Sequence, residues 1–264
     1  MKYTSNYLTD VLVRSDFLNF INFTDNKLDT SVLDLCLSLF PHHEIRTITS
    51  GKDKYYLSLP NKLVFDVPES EELQEWHFFS DKFDAELVLS QKFILCRTKN
   101  YINFEDFINP FMKIITAFNV CYNKPMYYRL GLRYIYQIDL SDINNKSTSW
   151  AAFWNKYIAH ELIGPLYFIK NNNYDSKLTR QMSTLVLNYN EFMIRFLFGI
   201  HNEGFPSRLK RQKFILDTDV FCDTLPKFTD FNGLLYKFML EANALFEKSI
   251  KQPLRLKMGV VDNE

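Results

Sequence analysis

Residues 127–140 alternate almost without a break, and no other stretch limits the fold so tightly. Tyr128, Leu130, Leu132, Tyr134, Tyr136, Ile138 and Leu140 occupy one face of an extended chain. Arg129, Gly131, Arg133, Gln137 and Asp139 share the other face with Ile135. Successive side chains of a strand point to opposite sides, so the pattern describes a strand with one covered face and one more polar face. Such strands belong to antiparallel sheets, because parallel sheets bury both faces and read as continuous apolar runs.

The rest of the chain offers partners for this strand. Residues 8–23 are rich in Val, Leu and Phe and read as strand, and residues 44–67 hold short β-type runs broken at Ser50-Gly51 and Leu59-Pro60-Asn61. Phe83, Ala85, Leu87 and Leu89 alternate onto one face, and Ser90-Gln91-Lys92 turns them back into Phe93 to Arg97. Further strands are expected at residues 179–188, 192–200 and 213–221. The acidic run 69–75 reads as a solvated loop, and Lys170-Asn171-Asn172-Asn173 as a loop between halves.

Helical spacing takes over elsewhere. Val32, Leu33, Cys36, Leu37 and Phe40 share one face of a helix over 30–40 that Pro41 ends. Phe104, Phe107, Ile108, Phe111, Ile115 and Phe118 predict a helix over 104–122, with Asn103 as its N-cap and Glu105 and Asp106 in the first turn. Short helices are expected over 149–163 and a long one over 231–249. Strands joined by short turns, with helices set apart, define an α+β fold rather than a doubly wound sheet. We expect a single α+β domain over 1–264, mostly antiparallel sheet with long amphipathic helices packed on one face. Strands followed by a long helix occur at 83–122 and again at 179–250. That order suggests two similar halves, about 1–145 and 146–264.

Composition narrows the class. A chain of 264 residues buries enough surface to fold without staples. Its 25 Phe and 15 Tyr predict a thick aromatic core, while 7 Gly leave no glycine-rich phosphate loop. The 31 basic and 31 acidic residues cancel, so no global charge draws the chain to nucleic acid or to an anionic membrane. Cys36, Cys96, Cys121 and Cys222 lie too far apart for zinc or redox spacing and sit in apolar runs, which predicts buried, reduced thiols and a cytoplasmic setting. The first residues lack a signal-peptide core, and no apolar stretch approaches the ~20 residues of a membrane helix. No cofactor is expected.

Three groups could carry chemistry. Asp217 and Asp219 stand two apart on one strand and therefore face one side, as do Arg129 and Arg133 on theirs. Brought together, these four make either a two-carboxylate metal site or an arginine cradle for phosphate. The structural alternative is an Arg–Asp network that sets sheet register. Arg208, Lys210 and Arg211, with Lys213 beside them, form a basic cluster suited to a nucleic-acid backbone or to a solvated loop entering a strand. His42, His43, His77, His160 and His201 fall into no metal or catalytic spacing; His42-His43 reads as a cap or surface turn after Pro41.

Tyr128-Arg129-Leu130-Gly131-Leu132-Arg133-Tyr134-Ile135 resembles the R-x-G-L-R-Y-I-N strand of a sporadically distributed bacterial protein family. Phe214 to Phe221 resembles that family's L-D-I-D strand, with Thr218 between the aspartates. Leu234 to Met258 resembles its C-terminal helix, ending in a capping segment at Ile250-Lys251-Gln252. The resemblance implies no activity. The family's patchy distribution implies horizontal transfer, which suits mobile elements, phage defence and toxin–antitoxin-like modules.

Together these readings favour a non-catalytic protein-binding component of a bacterial defence or toxin–antitoxin-like locus, with its partner encoded nearby, no membrane association and self-association left open. The alternatives are a nucleic-acid-binding or RNA-processing protein, and a metal-dependent hydrolase using Asp217 and Asp219.

Overall fold

The computed structural model describes residues 2–23, 27–49, 72–143, 149–189, 191–202, 204–207, 213–225 and 230–261. In chain order the elements are β1 (Lys2–Tyr3), β2 (Leu8–Phe17), α1 (Thr30–Leu39), β3 (His42–Thr49), β4 (Glu72–Phe79), β5 (Ala85–Ser90), β6 (Phe93–Thr98), α2 (Phe104–Cys121) and β7 (Tyr127–Asp139). There follow α3 (Trp150–Trp154), α4 (Gly164–Asn171), β8 (Gln181–Asn188), β9 (Met193–Ile200), β10 (Lys213–Cys222), α5 (Phe231–Ser249), α6 (Gln252–Met258) and β11 (Val260–Val261). Nine strands form one sheet in the order β3-β4-β5-β6-β2-β7-β10-β9-β8, and every neighbouring pair is antiparallel. The short β1 and β11 pair separately and tie the two ends of the described chain together.

The alternation of 127–140 places β7 at the centre of this sheet. Leu132, Tyr134 and Tyr136 sit in register with Val11 and Val13 of β2 and with Leu216 and Val220 of β10, and all of these are buried. Onto this apolar layer come the aromatic rings of the helices. Phe118 of α2 stacks on Phe17 at 5.8 Å, Phe246 of α5 on Tyr136 at 4.0 Å, and Trp154 of α3 against Phe214 at 5.1 Å. Asn103 caps α2 as its sequence predicts, its Oδ1 accepting from the Asp106 N–H at 2.8 Å.

β2 and β7 pair with each other at mid-sheet, with β6 flanking β2 and β10 flanking β7. After each of them come helical segments, an antiparallel meander and then a long helix, α2 in one case and α5 in the other.

Several local expectations change. Glu72 to Glu75 belong to β4 rather than to a loop, because Trp76 and Phe78 anchor the strand in the core while Glu75 stands on the polar face beside His77. The part of that run before Glu72 lies outside the described residues, as do residues 50–67 of the expected β region. His42-His43 open β3 instead of forming a turn, their rings stacking on Phe83 and Phe78. Phe83 leaves the β5 alternation for a tight turn with φ 55° and is exposed. The first strand stops at Phe17 rather than Phe23, and α4 runs on to Asn171, inside the expected loop. Ile250-Lys251 ends α5, and a further helix, α6, follows. Cys121 is half-buried, unlike the other three thiols.

Candidate functional site: the arginine–aspartate face

Past Tyr127, which packs on Phe17 and Phe231 beside a register shift, the odd-numbered residues of β7 point away from the aromatic layer, so Arg129, Gly131 and Arg133 share the polar face. Antiparallel pairing with β10 brings Asp217 and Asp219 onto it. Pairing with β2 adds Asp10, Arg14 and Asp16, and pairing of β10 with β9 adds Arg195 directly opposite Asp219.

These side chains interlock. Arg133 donates from Nε and Nη2 to the two oxygens of Asp217 at 2.7 and 2.6 Å. Arg195 Nη2 donates to Asp219 Oδ2 at 2.7 Å, and Arg129 reaches that same oxygen and Asp16 Oδ2 at 3.5 Å each. Arg14 Nε holds Asp16 Oδ1 at 2.8 Å, and Arg97 Nε of β6 holds Asp10 Oδ1 at 2.6 Å. Rings back two of the guanidiniums: Arg14 lies over Phe93 at 4.0 Å and Arg129 over Phe221 at 4.8 Å.

Burial is uneven across the lattice. The carboxylate residues Asp16, Asp217 and Asp219 are only 3–5% exposed. The Arg133 and Arg195 side chains keep 36% and 42% of their surface in solvent. The three acids and Arg129, whose side chain is 12% exposed, therefore lie at the floor, with Arg133 and Arg195 at the surface. The Asp217 hydrogen bonds raise the Arg133 pKa above its ordinary value, against the opposing effect of its burial. Gly131 makes room for this: a Cβ there would meet Phe221 Cβ at 3.3 Å, and Arg129 Nη2 and Asp219 Oδ1 at 3.6 Å. The Arg129 guanidinium crosses over this glycine at ordinary contact distance from where a Cβ would stand, and the tight neighbour is Phe221.

This arrangement suits anchored hydrogen-bond donation better than metal binding. Both oxygens of Asp217 are taken by one fork, and Asp219 accepts from two guanidiniums. A cation would have to displace arginines to reach either carboxylate. Among the described residues, no group of three His, Cys, Asp or Glu side chains is placed to hold a metal ion.

Of the sequence candidates, Arg129, Arg133, Asp217 and Asp219 come together here. Arg208, Lys210 and Arg211 lie outside the described residues, and neighbouring Lys213 is buried with its ammonium 3.8 Å from Asp139. Sequence reading missed Asp10, Arg14, Asp16 and Arg195. The polar parity of 10, 14 and 16 within the first strand was a usable signal. Arg195, one charge in an apolar strand, gave none until its neighbour was known. Also missed was buried His77, whose Nδ1 lies 2.8 Å from Glu86 and Nε2 3.1 Å from Glu75.

Fold and site define an α+β protein whose broad antiparallel sheet carries a fixed guanidinium–carboxylate lattice. No protein-family model matches the chain, and no curated protein matches it.

Proposed function

We propose that the chain is a non-catalytic binding protein that recognises a protein partner through the arginine-bearing face of its sheet. One observation carries this reading: the lattice consumes its carboxylates internally yet leaves guanidinium surface in solvent at Arg133 and Arg195. Arg133 spends Nε and Nη2 on Asp217, so its Nη1 donors remain for a ligand. Partly exposed Leu12, Leu197, Phe221 and Met193 share this face by strand register. Arginine set among aliphatic and aromatic side chains is the composition of protein interfaces. Donors held by a buried carboxylate lose little entropy when a partner arrives.

In this reading the long helices α2 and α5 cover the apolar face, and the arginine face stays open. The parallel between β2, β6, α2 and β7, β10, α5 supports two similar halves joined ahead of Tyr127, in place of a boundary near residue 145. The resemblance of residues 128–135, 214–221 and 234–258 to a sporadic bacterial family supports a cytoplasmic role in a defence or toxin–antitoxin-like locus, with the partner encoded nearby.

Co-purification with the products of adjacent genes tests the reading. One product should remain with the parent chain and be lost when Arg195→Ala is combined with Leu197→Ala, with circular dichroism unchanged. A partner held equally by both proteins would overturn it. The same outward guanidiniums favour a second reading, nucleic-acid binding. It requires oligonucleotide affinity whose logarithm falls with log salt by about 0.7–0.9 per contact. The hydrolase alternative is weakened by the arginines on Asp217 and Asp219. It requires a divalent metal to raise the melting temperature of the parent, and Asp217→Asn to abolish that rise.

A further inference from the structure

The two ends of the sheet are built differently. At one end β3 carries His42 and the Glu44–Arg46 ion pair, charges of the kind that guard an edge strand against pairing. At the other end β8, Gln181–Asn188, has no charged residue and no proline. Its consecutive Leu185, Val186 and Leu187 are 46%, 63% and 38% exposed. An uncharged apolar strand ending a sheet invites another strand. In the first part of the chain, β3 covers β4 before the meander to β6. In the second part, helices precede β8, and among the described residues no strand of the sheet lies beyond it.

We propose that β8 pairs antiparallel with β8 of a second copy of this chain, about a two-fold axis at Val186. Two nine-stranded sheets then become one. In this register Val186 meets Val186, Leu185 meets Leu187 in both directions, Thr184 meets Asn188, and Ser183 meets Tyr189. Apolar residues face apolar ones, polar face polar, and no like charges oppose each other. Leu185 and Leu187 are register partners of Phe196 and Ile194, so their mates extend the buried apolar layer across the axis. Val186 is the register partner of Arg195, so the arginine faces of the two copies become continuous. The chain's 31 basic and 31 acidic residues cancel, and two copies meet without net repulsion. A second copy's β3 is a poorer occupant. It would set Glu44 and Arg46 against the edge, and head-to-tail contact would leave the assembly open to growth.

Sedimentation of the full chain over a micromolar dilution series should show a dimer. Val186→Lys and Val186→Glu should each yield folded monomer, since residue 186 is exposed within one copy but meets itself across the axis. Mixing the two variants in equal amounts should restore the dimer. A parent that stays monomeric, a dimer indifferent to both substitutions, growth beyond the dimer, or a mixture that stays monomeric would each overturn the proposal. Should a charged variant unfold, amide exchange in the parent decides. Protection of residues 182–188 should rise with protein concentration, and concentration-independent exchange there would refute the pairing.

Discussion

Arg133 reaches past its register partner Asp219 and holds Asp217, two residues earlier on β10, with two parallel hydrogen bonds. The diagonal reach frees Asp219 for Arg195 on the opposite side. Asp217 thus serves β7, while Asp219 serves β9 at 2.7 Å and β7, through Arg129, at 3.5 Å, so the polar face couples three strands rather than two. Such coupling pins register on the more polar face of the sheet.

Breaking this pair should be asymmetric. Arg133→Ala strands the Asp217 carboxylate, whose side chain is 7% exposed, whereas Asp217→Ala leaves a guanidinium already 36% exposed and free to turn to water. We expect Arg133→Ala to cost about 2–3 kcal/mol, Asp217→Ala less, and the double substitution less than their sum. Urea melts of the three variants give the cycle. Additive costs would show that the pair is not coupled.

Gly131 should tolerate Ala but not Val. An Ala Cβ needs only a few tenths of an ångström from Phe221, whereas Val Cγ atoms would enter the space between Arg129 and Asp219. Gly131→Val should destabilise by about 1–3 kcal/mol and Gly131→Ala by far less. Equal denaturation midpoints for the two would contradict the crossing of Arg129.

On α2, Phe111 is fully buried, while Phe107 is half-buried against Tyr101 at 5.9 Å. Phe111→Ala should cost about 3–5 kcal/mol. Phe107→Ala should cost roughly half as much or less, in proportion to the area it loses. A reversed order in chemical melts would mean that the helix is rotated.

Stability should fall in alkali, through buried thiols and phenols. Burial pushes the Cys36 thiol up to about 12 from 9.0 and raises Cys96 as well, and desolvation likewise raises half-buried Tyr127 and buried Tyr134 and Tyr136. In the unfolded chain these groups lose their protons at ordinary values, so above those values the folded state binds more protons. Stability is therefore intact below the ordinary thiol value and falls as pH rises, by about 1.4 kcal/mol per pH unit for each such group. Melting temperatures measured from neutral pH upward should fall, and Cys36→Ala should make the fall shallower. A slope unchanged by that substitution would remove Cys36 from the account.

Strand and helix identities were legible where side-chain periodicity was unambiguous. The alternation of 127–140, the Asn103 cap with its phenylalanine stripe, and the run over 231–249 each name their element and buried face, because a side chain's direction depends only on its own backbone. The same local rule put Arg129 with Arg133 and Asp217 with Asp219. Charged strand positions misled it: Glu72 to Glu75 read as loop because their compensating partner, His77 beside Glu86, comes from strand pairing.

By itself the sequence determined which residues share a face, where the long helices begin, and that the protein is α+β with a largely antiparallel sheet. Tertiary structure alone decided that β7 lies between β2 and β10, that Arg133 takes Asp217 and not Asp219, that Asp16 and Arg195 join the lattice, and that β8 ends the sheet among the described residues. Periodicity is a property of neighbours along the chain. Strand order and ion pairing depend on contacts between residues such as Asp16 and Arg129, 113 positions apart, whose energies are won only when the sheet assembles.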